Sequence, residues 1–108
     1  MSSNATGDTD VVDNVDLHRY ELYRSSELVG QATYSPIDGG LRFTHTEIDP
    51  ALQRQGLAGR LIQAALDDVR TRGLTAVPVC SFVADFIAHH PEYLDLVPDG
   101  ERAHPEIT

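Results

Sequence analysis

A chain of 108 residues with 41% hydrophobic side chains holds enough apolar material for one core and too few residues for two. Its 17 acidic and 8 basic side chains leave a net charge of −9, and every basic one is arginine, which excludes lysine chemistry and argues against nucleic acid or an anionic membrane as partner. No apolar run reaches the length of a membrane span or a signal-peptide core, and the single cysteine, Cys80, cannot form an internal disulfide, so a reducing, cytoplasmic setting is expected.

Residues 1–16 are polar and carry four aspartates with no base, which predicts a disordered acidic N-terminal tail. From Arg19 the pattern turns to short alternating runs: Tyr20 to Tyr23, Leu28 to Tyr34, and Leu41 to Ile48. Turn signals at Ser25-Ser26-Glu27 and Pro36 to Gly40 separate them, giving an antiparallel meander. Asp49-Pro50 closes it. Leu57, Leu61, Ile62, Ala65, Leu66 and Val69 recur at helical spacing, and Gly73 is placed to stop that helix. Thr75 to Val79 reads as a short strand that Pro78 confines to an edge. Ser81 is placed to cap a second helix with Phe82, Val83, Phe86 and Ile87 on its apolar face, ending at His90 before Pro91. A last turn spans residues 92–97, and 98–108 is expected to be a flexible tail. The order β-β-β-α-β-α is a mixed α/β (α+β) architecture with its single domain over residues 17–97.

Between the third strand and the long helix stands Gln53-Arg54-Gln55-Gly56-Leu57-Ala58-Gly59-Arg60. Small residues at a strand-to-helix junction let a ligand approach the backbone, and the first helical N–H groups point at whatever lies in front. With Arg54 and Arg60 beside it, the segment can cradle a pyrophosphate. A glycine-rich connection without a ligand has the same composition.

These residues resemble the GNAT superfamily of N-acetyltransferases, whose acyl-CoA motif runs Gln or Arg, two residues, Gly, one residue, Gly or Ala. Gln53, Gly56 and Ala58 stand at those positions, and the resemblance to the small, single-domain GNAT-like subfamily covers about residues 17–97. It implies acetyl-CoA as acyl donor and an amine, small molecule or protein, as acceptor. It also implies pyrophosphate binding by amides from Gln55 to Arg60, with Gln53 and Arg54 alongside, and contact of the thioester arm with the backbone of Glu47 and Ile48. A monomer or weak dimer and no metal are expected. The chain lacks room for the two helices that usually follow the first strand and for the last strand pair, which keeps a non-catalytic acyl-CoA-binding or sensor module as the alternative.

Acyl transfer to an amine needs a group to take the amine's proton and often an acid for the leaving thiolate. In many GNAT enzymes a tyrosine supplies that acid; the matching slot here holds Ile87. Cys80 precedes a helix, whose N-terminus favours a thiolate, so it is either an acid or acyl acceptor or a small packed side chain. The resemblance pairs it with a strand histidine, His45. His45 and Glu47 share a strand face by period two, with Phe43 expected on the same face, and either can relay a proton or serve structure. His90 and Tyr93 are weaker candidates: His90 is also placed to cap a helix end, and Tyr93 to anchor the last turn.

Overall fold

A computed structural model describes residues 9–53 and 55–98. Among these residues five strands form one sheet in chain order: β1 (Thr9–Asn14), β2 (Arg19–Arg24), β3 (Glu27–Ile37), β4 (Gly40–Ile48) and β5 (Thr75–Pro78). The first four are antiparallel neighbours, and β5 joins β4 in parallel after the chain crosses over through helix α1 (Leu57–Thr71). Helix α2 (Ser81–His89) and a 3-10 turn (Pro91–Leu96) complete the fold. Among the described residues, no helix is long and apolar enough to cross a membrane.

The segment before residue 17, expected to be disordered, instead supplies an edge strand over its second half. Asp13 explains the difference: its carboxylate accepts from the Tyr34 hydroxyl at 2.5 Å and from the Arg72 guanidinium, tying β1 to β3 and to the end of α1. Arg72 also donates to Asp68 at 2.8 Å and to the Tyr20 hydroxyl at 3.0 Å, while Tyr20 donates to Asp68 at 2.6 Å. Burial and the Asp68 carboxylate push the Tyr20 phenol far above its ordinary range. Burial acts against ionised Asp68, but Tyr20 and Arg72 outweigh it and hold its carboxyl below the usual value. The pairing of an acidic strand with the single guanidinium across the sheet is invisible to local patterning.

The periodic face of α1 lies on the sheet as its spacing requires, with Leu61, Ile62, Ala65, Leu66 and Val69 fully buried against Tyr20, Leu22, Ala32 and Phe43. Gly73 ends the helix with φ +70°: the Leu74 N–H reaches the Val69 carbonyl and the Gly73 N–H that of Arg70, both at 3.0 Å. Tyr20, Tyr34 and Phe43 form an aromatic cluster with centroids 5.5–6.1 Å apart. On the other sheet face, Glu21 is buried by its own partners, accepting from Arg19 and Tyr23 at 2.7 Å and from Asn14 at 3.1 Å.

Strand β4 changes phase midway. Thr33 opposes His45 but Tyr34 opposes Phe43, so Thr44 is an extra residue, a β-bulge. Before it, Leu41 and Phe43 point into the core; after it, Thr46 and Ile48 take the inward side while His45 and Glu47 point out. Phe43 therefore does not share a face with His45 and Glu47, contrary to the unbroken alternation expected.

Candidate active site

The parallel pairing of β5 with β4 stops early. Gly40 to Phe43 pair with Thr75 to Pro78, and the Phe43 carbonyl then accepts from both Val79 and Cys80 N–H, at 3.0 and 2.8 Å. Pro78 has no N–H to continue the ladder, and Cys80 turns the chain into α2 as its N-cap, a place expected for Ser81, which is the first helical residue instead. Beyond Phe43 the flank of β4 away from β3 has no strand partner among the described residues. Thr46 and Cys80 face each other across this splay, Oγ1 to Sγ 3.5 Å.

A cleft of about 440 Å³ opens here, lined by Thr46 and Ile48 of β4, Gln53, Gly56, Ala58 and Gly59 of the helix entry, and Phe82 of α2. Gly56 is the N-cap of α1 with φ +76°, a conformation that favours glycine, and an added Cβ would meet no atom within 4 Å. Among the described residues no side chain caps α1. The first intrahelical bond is Arg60 N–H to Gly56 C=O at 3.1 Å, so the amides of Leu57, Ala58 and Gly59 precede the ladder and have no acceptor among the described residues. The helix head is therefore open, positive and bordered by a splayed strand.

The predicted cradle residues Gln53, Gln55, Gly56, Leu57, Ala58, Gly59 and Arg60 come together at this entry; Arg54 lies outside the described residues. Gln53 Nε2 lies 3.5 Å from the Ile48 carbonyl, and Arg60 is exposed. A residue that sequence reasoning missed also reaches the loop: Arg24 of β2 donates to Gln55 Oε1 at 2.9 Å. Thr46 was missed as well, because the bulge hides its inward orientation.

His45 and Cys80 are not brought together. Alternation after the bulge places them on opposite sides of β4, Cys80 beside Thr46 and His45 beside Glu47, with Nε2 3.0 Å from Glu47 Oε2. Gln31 Nε2 holds the other Glu47 oxygen at 3.2 Å. This pair borders a second, open cleft of about 560 Å³ with Leu28, Gln31 and Asp49. His90 Nδ1 lies 2.8 Å from the Phe86 carbonyl and its ring stacks on Phe86 with centroids 4.0 Å apart, a helix-end contact. Tyr93 is buried and donates to Asp67 at 2.7 Å; burial and that carboxylate push its phenol up to about 12. Ile87 is buried in the core. Among the described residues no group of three His, Cys, Asp or Glu could hold a metal ion.

Residues 19–96 match the family model described as GCN5-related N-acetyl-transferase. The chain belongs to that family. The splayed strands and open helix head thus sit in a GCN5-related fold, and solved structures share it. A GCN5-like protein from Staphylococcus aureus, solved by NMR, superposes with TM-score 0.64 at 18% identity over 86% of this chain and 91% of that one. The ribosomal-protein-S18-alanine N-acetyltransferase of Escherichia coli gives 0.50 at 23% identity over 53% of this chain. An aminoglycoside acetyltransferase from an uncultured soil sample, crystallised with sisomicin, gives 0.54 at 17% identity over 80% of this chain. The GCN5-related chain spans only 37% and 60% of those last two proteins. No curated protein matches it.

Proposed function

We propose that this GCN5-related protein transfers an acetyl group from acetyl-CoA to an amine in the cytoplasm. The observation that carries the reading is the half-paired flank of β4 opening at the uncapped head of α1. An extended amide-containing arm fits the first, and a diphosphate fits the second. The residues present suit the cofactor: space is open at Gly56, and three amides there lack acceptors among the described residues.

When bound, acetyl-CoA supplies an activated acyl carbon. Transfer forms a C–N bond and breaks the C–S bond; the amine gives up a proton and the departing sulfur gains one. The two sides of β4 divide this work. With His45 Nε2 donating to Glu47, Nδ1 remains as acceptor for the amine proton, and the Glu47 carboxylate steadies the imidazolium that results. On the other side Cys80 Sγ, beside Thr46 Oγ1, holds the proton given to the leaving sulfur. Tyr93 and His90 serve the fold: the Tyr93 hydroxyl is engaged by Asp67, and His90 is held by Nδ1 on the α2 backbone and by stacking on Phe86.

Calorimetric titration with acetyl-CoA, followed by mass spectrometry of an amine panel, tests the reading. Binding with acetyl transfer is expected, and Cys80→Ala should keep the affinity while slowing transfer at least about tenfold. Binding without transfer or release of CoA would favour the sensor alternative, to which the buried Ile87 in the usual tyrosine slot points. An unchanged rate in the Cys80 variant would return this thiol to packing.

A further inference from the structure

Arginines supply all the permanent positive side-chain charge in this chain of net charge −9, and the structure employs several of them against carboxylates. Arg19 pairs with Glu21, Arg70 with Asp95, and Arg72 with Asp13 and Asp68. Arg24 differs. It is the last residue of β2, in phase with Tyr20 and Leu22, so it shares the sheet face that carries α1. Glu27 stands opposite it in the strand register, yet among the described residues Arg24 forms no ion pair, with Glu27 or any other carboxylate. Its hydrogen-bond partner is neutral: Nη1 donates to Gln55 Oε1 at 2.9 Å.

That partner fixes where the charge sits. Gln55 immediately precedes Gly56, the N-cap of α1, so a cation from a distant strand is anchored to the residue just ahead of the open amides. A guanidinium has five N–H donors, and among the described residues one has a side-chain partner here, which leaves others to meet an anion in a fork geometry. We infer that Arg24 binds a phosphate group of the nucleotide end of CoA, with Gln55 positioning its guanidinium beside the helix head. The inference rests on the reading that CoA occupies this cleft. It adds a binding residue outside the Gln53–Arg60 segment, from a strand to which no ligand contact has been assigned. CoA offers two phosphate sources, the diphosphate and the 3′-phosphate, with the same chemistry toward arginine.

The test compares full-length wild type with Arg24→Gln, which keeps a polar side chain but removes the charge. NMR titrations, which read millimolar as well as micromolar affinities, are run with CoA, 3′-dephospho-CoA and acetyl-pantetheine at two salt concentrations. Arg24→Gln should weaken CoA about tenfold, flatten its salt dependence and leave acetyl-pantetheine unchanged. Unchanged binding of 3′-dephospho-CoA assigns the contact to the 3′-phosphate; equal weakening assigns it to the diphosphate, and both outcomes support the inference. Wild-type affinity for CoA in the variant overturns it. So does an equal loss for all three ligands, which would make Arg24 a mechanical strap. If CoA binds wild type no better than acetyl-pantetheine does, the placement of the nucleotide at α1 fails, and the role of Arg24 fails with it.

Discussion

Substitution of Gly56 separates what the helix head does for the fold from what it does for a ligand. Gly56 has φ +76°, and a Cβ built there meets nothing within 4 Å, so alanine costs only the left-handed conformation and no clash. That cost is about 1–2 kcal/mol for an L-residue. In a domain of this size each kcal/mol lowers Tm by about 4–8 °C, so Gly56→Ala should melt roughly 4–16 °C below wild type with its spectrum intact. Gly56→Glu carries the same backbone cost and adds a carboxylate facing the amides of Leu57, Ala58 and Gly59. One unit charge about 6 Å from a phosphate at an effective dielectric of about 20 costs about 3 kcal/mol, roughly a hundredfold in affinity. The glutamate variant should therefore melt near the alanine variant and lose CoA binding by about a hundredfold, measured by thermal melts and calorimetry on both proteins. Normal CoA affinity in Gly56→Glu would refute the proposed cradle. A spectrum that collapses in Gly56→Ala would refute the claim that the cost is purely conformational.

Arg72→Met releases Asp13 from α1 and should cost about 1–2 kcal/mol, discounted because the Arg72 side chain is 39% exposed. The loss should be non-additive with Asp13→Asn in urea denaturation, and additivity would show that the clamp is not one unit. Glu21 is held below its ordinary value of 4.5 by hydrogen bonds from Tyr23, Arg19 and Asn14, against the opposing effect of burial. A depressed native pKa contributes stability that is present above the unfolded value and lost as pH falls through the native one. The urea midpoint should therefore drop as pH falls below about 4.5, and Glu21→Gln should flatten part of that slope. Tyr93→Phe removes the bond to Asp67 and should cost about 1 kcal/mol while leaving acetyl transfer at the wild-type rate; a large rate loss would make Tyr93 an acid after all.

The parts of the fold written in short-range pattern were legible without coordinates. The 3.6-residue spacing of Leu57 to Val69, Gly73 as its stop and the edge position of Pro78 each follow from a local rule, and the structure realises them; the turn expected over Pro36 to Gly40 is tighter, Asp38-Gly39 alone, with Pro36 and Ile37 still paired in β3. The small-residue segment around Gly56 was legible as a helix entry for the same reason. What escaped depends on distant partners. β1 reads as a polar acidic tail until Arg72, 59 positions from Asp13, is brought beside it. The extra residue at Thr44 leaves no compositional mark, yet it reverses the phase of everything after it, which hid Thr46 and separated Phe43 from His45. Arg24 was unremarkable as a strand residue, because its meaning lies in a contact across 31 positions.

The half-paired stretch of β4 also has a bearing on what can reach it. The ends of the sheet are guarded: β1 carries Asp10 and Asp13, and β5 is four residues long and contains Pro78. The bare flank past Phe43 is an internal edge, recessed between the starts of two helices and followed by polar residues. Its unpaired backbone groups thus lie inside the fold's outline rather than on an outer strand, where they are placed to meet a ligand.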